Sequence, residues 1–166
     1  REEQREWIDA ILARGNAYFV GGCVRDEVLG KPYKDVDLIV TGIPLKRLQD
    51  LLDTFGKTVF TDVGDNFGVI KFTPREWTED EPIDVALPRT EIKHGEGHTG
   101  FEVNVDHNLP VEKDLERRDL TINSIAVNIK TMEVVDPFGG YKDIQQQRIK
   151  MTNPQAFKDD PLRMLR

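Results

Sequence analysis

The sequence predicts a mixed α+β domain, and three observations carry that prediction. The chain has 166 residues, which suits one hydrophobic core with at most a short element attached. Apolar residues recur at helical spacing in some stretches and alternate with period two in others. The two kinds of stretch follow one another irregularly, unlike the strict strand–helix alternation of a doubly wound sheet.

Each element has its own signal. Residues 2–13 place Trp7, Ile8, Ile11 and Leu12 on one face of a helix, which Gly15-Asn16 stops. Residues 17–20 (AYFV) read as a short buried strand. Gly21-Gly22 turn the chain into a short helix over 23–29, ended by Gly30. Residues 35–40 (DVDLIV) read as a second strand, paired with the first. Pro44 opens a helix over 45–55, with leucines at 45, 48, 51 and 52. After Gly56 the period changes to two, which predicts strands over 57–63, 67–73 and 83–87. The Gly-rich stretch 94–100 reads as a mobile loop. A charged helix is expected over 111–118, a hairpin over 124–129 and 133–136, and a short helix over 139–147. A last helix starts near Asp159-Asp160-Pro161, where Asp and Pro suit a first turn. No internal repeat, linker or low-complexity segment is visible.

Composition narrows the function. Hydrophobic residues make up 38% and charged residues 32%, a foldable chain with a well-charged surface. No apolar run nears the roughly 20 residues that span a bilayer, so no membrane association is expected. No signal-peptide pattern opens the chain, and the single Cys23 cannot form an internal disulfide, so the expected setting is cytoplasmic. The net charge of −7 argues against direct electrostatic binding of nucleic acid. Contact with phosphate needs a locally basic surface, or a metal bridging the like charges. The chain starts at Arg1 and stops at Arg166 inside a helical pattern, as expected of a piece of something longer.

The sharpest chemical pattern is Gly21-Gly22-Cys23-Val24-Arg25-Asp26 followed by Asp35-Val36-Asp37. Period two puts Asp35 and Asp37 on one face of a strand. Ionising two such close carboxylates is costly unless a divalent cation sits between them, and hard oxygen ligands suit Mg²⁺. A D-x-D alone is more often a solvated pair at a strand edge. Two glycines between a buried strand and a helix let backbone N–H groups approach phosphate, and Arg25 lies one turn further on. This loop is neither a Walker P-loop nor G-x-G-x-x-G. Asp84, in the apolar run Ile83-Asp84-Val85-Ala86, completes an acidic cluster or satisfies an edge.

Arg117-Arg118-Asp119 with Asn123 offers paired guanidinium groups for phosphate, and polar groups that face one way if helical. The bland alternative is a surface charge run from Glu112 to Asp119. Arg163 and Arg166, after Asp160, share one side of the last helix and face a triphosphate or cap a surface. His94 and His98 sit among glycines and make no zinc site, and His107 stands apart. Cys23 reads as a small buried side chain, and Phe101, Phe138 and Tyr141 as packing residues.

Together the segments YFVGGCVRD, KDVDLIV, DVALPRTE, ERRDLTINSIAV, VDPFGGYKDI and DDPLRMLR resemble the head domain of class II tRNA nucleotidyltransferases, the CCA-adding enzymes and their bacterial poly(A) polymerase relatives. Their order matches, and they cover most of residues 17–166. The ALPRTE and HTGF pieces resemble the bacterial CCA-adding branch more than the eukaryotic one. The resemblance implies a polymerase-β-type nucleotidyltransferase fold, a small mixed sheet flanked by helices. It implies that Asp35 and Asp37 bind Mg²⁺ and that Asp84 is a third, more variable catalytic acid. Gly21, Gly22, Arg25, Arg117, Arg118, Asp119, Asn123, Asp160, Arg163 and Arg166 are the implied nucleotide-binding positions. CTP and ATP are the implied substrates and the tRNA 3′ end the acceptor, with two metals serving in-line transfer. Residues 1–150 form the expected catalytic head, and 151–166 start a helical neck. In the family a neck template reads the incoming base, and body and tail domains grip the tRNA.

Two departures, Ser124 for the family's frequent Ala and Asp159 for its Glu, are small. A poly(A) polymerase, or an enzyme adding only CC or only A, fits the same head. A non-catalytic nucleotide- or RNA-binding module is the alternative of another class, against which the intact Asp35/Asp37 pair and arginine motifs stand. A D-x-D glycosyltransferase finds no support in RRDLTIN or DPLRMLR. No His-Asp dipeptide occurs, which leaves no HD phosphohydrolase site.

Overall fold

Alternation along each strand decides which side chains the sheet buries on which face. The structure, a computed structural model, describes residues 2–33, 35–61, 68–93 and 101–146. The elements are α1 (Glu2–Leu12), β1 (Asn16–Val20), α2 (Gly22–Val28), β2 (Asp37–Thr41), α3 (Leu45–Phe55), β3 (Gly56–Thr61), β4 (Val69–Pro74) and β5 (Ile83–Ala86). After them come β6 (Arg89–Lys93), β7 (Phe101–Val105), α4 (Val111–Glu116), a 3-10 turn (Thr121–Asn123), β8 (Ala126–Asn128), β9 (Val134–Val135) and α5 (Gly140–Gln145). This is the expected α+β class.

The main sheet has seven strands in the order β3-β4-β5-β2-β1-β8-β9. Only β2 and β5 run parallel, and every other pairing is antiparallel. Strand β2 is therefore central, with β1 on one side and β5 on the other. Strands β6 and β7 form a separate antiparallel pair that the sequence reading did not anticipate.

One face of the sheet carries Leu38 and Val40 from β2, Ile70 and Phe72 from β4, and Ile83 and Val85 from β5. Helices α1 and α3 cover it with Trp7, Ile11, Leu48 and Leu52, and the Trp7 and Phe72 rings meet edge-on at 5.2 Å. Burying each such side chain stabilises the fold by about 1.5–3 kcal/mol. On the opposite face Val20, Ile39 and Ala126 pack beneath Val111 and Leu115 of α4. A third small cluster joins Cys23 and Val24 of α2 to Ile125 and to Ile144 of α5. Cys23 is buried as expected, whereas Tyr141 is 45% exposed and does not pack inside. Among the described residues no helix is long and apolar enough to cross a membrane.

Candidate active site

The side of β2 turned away from α1 and α3 carries Asp37 and Ile39. On β5 the same alternation puts Asp84 and Ala86 on that side. Parallel register places Asp37 directly beside Asp84. Lys71 lies opposite Asp84 on β4 and closes a 2.7 Å ion pair with its Oδ1. Burial lifts the Asp37 carboxyl from 3.8 to about 6. The charge of Asp84 adds to that lift, Arg118 draws it back, and Asp35 pushes it up again.

Asp35 departs from its expected place. It is exposed and precedes β2, which begins at Asp37. The cause lies in the partner strand. The last β1–β2 pair is Val20 with Asp37, after which Gly21 turns β1 away into α2. β1 offers residues 35 and 36 no partner among the described residues. Among the described residues no three His, Cys, Asp or Glu side chains gather closely enough to hold a metal ion. What the fold does set together is Asp37 and Asp84, with the charge of Asp35 within reach of both strands' end.

Gly21 stands at the mouth of this site with φ 74°, a left-handed conformation that glycine adopts readily. A Cβ there would sit 3.3 Å from Asp37 Oδ2 and 3.5 Å from Arg118 Nη1. The glycine turn thus lies between an acid and a guanidinium. Gly22 begins α2, whose Arg25 gives its Nη1 to Asn123 Oδ1 at 3.0 Å and its Nε to Asp26 Oδ1 at 3.1 Å. That first bond ties the glycine turn to the 3-10 turn after Arg117-Arg118.

Arg117 and Arg118 are not part of a solvated charge run. Both converge on Asp114, which is fully buried. Arg117 donates through Nε (3.2 Å) and Nη2 (3.4 Å), and Arg118 through Nε (3.3 Å) and Nη2 (3.1 Å). The Arg89 backbone N–H adds a bond of 3.1 Å to Oδ1. Arg117 Nη1 turns to Glu91 Oε1 at 3.7 Å, and Arg89 Nη2 reaches the same oxygen at 3.0 Å. Burial lowers the pKa of Arg117, and Asp114 opposes that shift. Asp119 lies outside any helix, with its Oδ1 accepting the Leu120 N–H at 2.8 Å, so it and Asn123 are not one helical turn apart on a common face. Leu120 is extended at φ −117° and ψ 144°, so no helix joins them.

Beneath this segment, Thr121 Oγ1 donates to buried Asp143 Oδ2 at 2.6 Å. Gly140 lets α5 approach so closely that a Cβ would overlap the Thr121 carbonyl. Asp136 accepts the Gly140 and Tyr141 N–H groups at 2.7 and 3.0 Å and so fixes the start of α5. Asp160, Arg163 and Arg166 lie outside the described residues, as do His94, His98 and the 94–100 stretch. Sequence reasoning missed Asp114 and Lys71. For Lys71 the signal was present: a lysine in an apolar alternating strand needs an acidic neighbour.

Asp37, Asp84, Arg117 and Arg118 line one cleft of about 230 Å³, with Gly68 and Val105 at its far wall. A carboxylate pair facing a guanidinium across a tight glycine turn is an arrangement for polyanion chemistry. A family model described as "Poly A polymerase head domain" matches residues 17–150. The chain belongs to the poly(A) polymerase head-domain family. It is 41% identical over 150 residues to the multifunctional CCA protein of Xylella fastidiosa (strain M12), covering 90% of this chain and 33% of that protein. It is 42% identical over 149 residues to the multifunctional CCA protein of Xanthomonas campestris pv. campestris (strain B100), at the same coverage of 90% and 33%. The chain thus spans about a third of the length of the curated relatives it matches. Among solved structures, the Bacillus stearothermophilus CCA-adding enzyme in complex with CTP superposes with a TM-score of 0.74 at 31% identity, covering 99% of this chain and 37% of that one. The Thermotoga maritima CCA-adding enzyme complexed with tRNA superposes with a TM-score of 0.65 at 29% identity, covering 92% and 32%. The polymerase-β-like nucleotidyltransferase fold expected from the sequence is the fold of this chain.

Proposed function

We propose that this domain is the catalytic head of a tRNA nucleotidyltransferase, which adds CMP and AMP from CTP and ATP to the tRNA 3′ end to build CCA. The observation that carries this reading is the Asp37–Asp84 pair facing Arg118 across Gly21. The CTP and tRNA complexes among the similar structures support CTP and tRNA as substrates. Residues 1–150 serve as the head and 151–166 begin the neck, in a cytoplasmic protein.

The residues fit a divalent cation. Burial first, and then the charges of Asp84 and Asp35, raise the Asp37 carboxyl to about 6, a cost that a bound cation relieves. Asp35 and Asp37 would hold Mg²⁺ only together with phosphate oxygens of a bound nucleotide, since among the described residues the protein's acids alone form no three-ligand group. The ion would supply Lewis acidity toward the attacking hydroxyl and the α-phosphate. Asp37 is held on the central strand, so its carboxylate does not move with substrate. Lys71 holds Asp84 through a 2.7 Å ion pair to its Oδ1. Arg118 lies over the glycine turn, where it offsets negative charge on a triphosphate. Arg25 and Asn123 hold each other at 3.0 Å and frame the same turn. Gly21 keeps that turn free of a side chain that would crowd the nucleotide.

Labelled CTP and ATP, supplied with Mg²⁺ and tRNA transcripts ending before CCA, after C and after CC, test the proposal. CCA addition requires C on the first two ends and A on the third. Incorporation restricted to C, or to A on the third end, assigns a CC-adding or an A-adding enzyme. Long A tails assign a poly(A) polymerase. No incorporation by the full-length protein on any end overturns the catalytic reading in favour of a binding module.

A further inference from the structure

Asp114 contacts neither the acids nor the glycine turn, yet it organises what faces them. It is fully buried on α4, and both guanidinium groups of the Arg117-Arg118 pair engage it side-on, through Nε and Nη2. An arginine bound by that edge has its remaining amino group directed the opposite way. For Arg118 that group is Nη1, which lies 3.5 Å from where a Gly21 Cβ would be. For Arg117 it is also Nη1, which points to Glu91 on β6 at 3.7 Å. One buried carboxylate therefore sends its two arginines in different directions, Arg118 toward the Gly21 turn and Arg117 toward Glu91. The Arg89 backbone N–H on the same carboxylate fixes it from the β6 side.

We propose that Asp114 is a positioning residue for nucleotidyl transfer: by holding Arg118 side-on it aims Nη1 over Gly21 at the triphosphate. Arg117, bound to Asp114 and Glu91, is the member of the pair that secures the β6 wall. This inference rests on the nucleotide-transfer reading above. A buried charge bonded by both arginines costs desolvation that an apolar residue would not. What the charge provides here is direction, because a guanidinium without a fixed partner samples many rotamers.

Two effects of removing the charge oppose each other, and that makes the proposal testable. Losing orientation lowers kcat, because the triphosphate is no longer held in line. Losing a negative charge beside two arginines by itself tightens anion binding and lowers KM for CTP. In the full-length protein, Asp114→Asn is expected to lower kcat at least about tenfold, with KM for tRNA unchanged. Arg118→Lys, which removes the Nε donor, is expected to produce a similar loss. The double variant should be no worse than the more damaged single one. Multiplicative losses in the double variant, or a fall in KM for CTP at unchanged kcat, would overturn the proposal. If Asp114→Asn fails to fold by circular dichroism, Asp114→Glu takes its place in the cycle. If the parent transfers no nucleotide, the transfer reading fails on its own. The same cycle is then run on calorimetric binding of inorganic tripolyphosphate. Weaker binding in Asp114→Asn, against the tightening that the lost charge alone would give, with no further loss on adding Arg118→Lys, supports the positioning role. Tighter, unchanged or additively weakened binding refutes it.

Discussion

The two faces of strand β2 differ in what they settle. Leu38 and Val40 point into a closed apolar core under α1 and α3, where every neighbour is a complementary side chain. Asp37, one residue before Leu38, points the other way and meets Asp84, with Asp35 near enough to add its charge. The first face lowers the free energy of the fold by burial. The second raises it by burying Asp37, with the charges of Asp84 and Asp35 adding to the cost, and the strand tolerates that cost because the first face holds it rigid. Fold stability and chemistry are thus separated by a single residue step along one strand.

Substitutions can break that contrast from either side. The largest expected effect is Asp37→Asn, which should reduce CTP incorporation by about 10³-fold or more without loosening the core. Phe72→Ala does the reverse: with its ring fully buried against Trp7, it should destabilise by about 3–5 kcal/mol in a denaturant titration. A smaller effect follows from the raised Asp37 carboxyl. The folded state holds a proton between about pH 4 and about pH 6 that the unfolded state has released. The contribution is therefore present in full below the unfolded value and is lost as pH rises through about 6. Unfolding measured across that window should show a loss of about 1–3 kcal/mol in the parent and none in Asp37→Asn. Smallest of all, Val59→Lys on the exposed edge strand β3 should change stability by no more than about 0.5 kcal/mol.

The core face was legible because its pattern is local. Leucines at 45, 48, 51 and 52 between Pro44 and Gly56 give the bounds of α3, and the helix runs from Leu45 to Phe55. The central strand and its acids were legible from DVDLIV for the same reason. What pairs across the chain was not. The end of β2 depends on where β1 turns away, and no periodicity within residues 35–40 records that, so Asp35 was expected on the strand and lies before it. The β6–β7 pair has one apolar position in Arg89–Lys93, too weak an alternation to announce a strand. Asp114 was hidden differently. It sits in EKDLERRD, where charge density reads as solvent, and its burial arises only because two neighbouring arginines turn inward with it.

The central claim is that the crowded acids of β2 and β5 are kept for a cation carrying a nucleotide. Melting of the parent and of Asp37→Asn, each with and without millimolar Mg²⁺ and CTP at about pH 8, tests it most directly. The account predicts that the ligands raise the parent's midpoint by about 2–4 °C and leave the variant's unchanged. An equal rise in both proteins, or none in the parent, would contradict it.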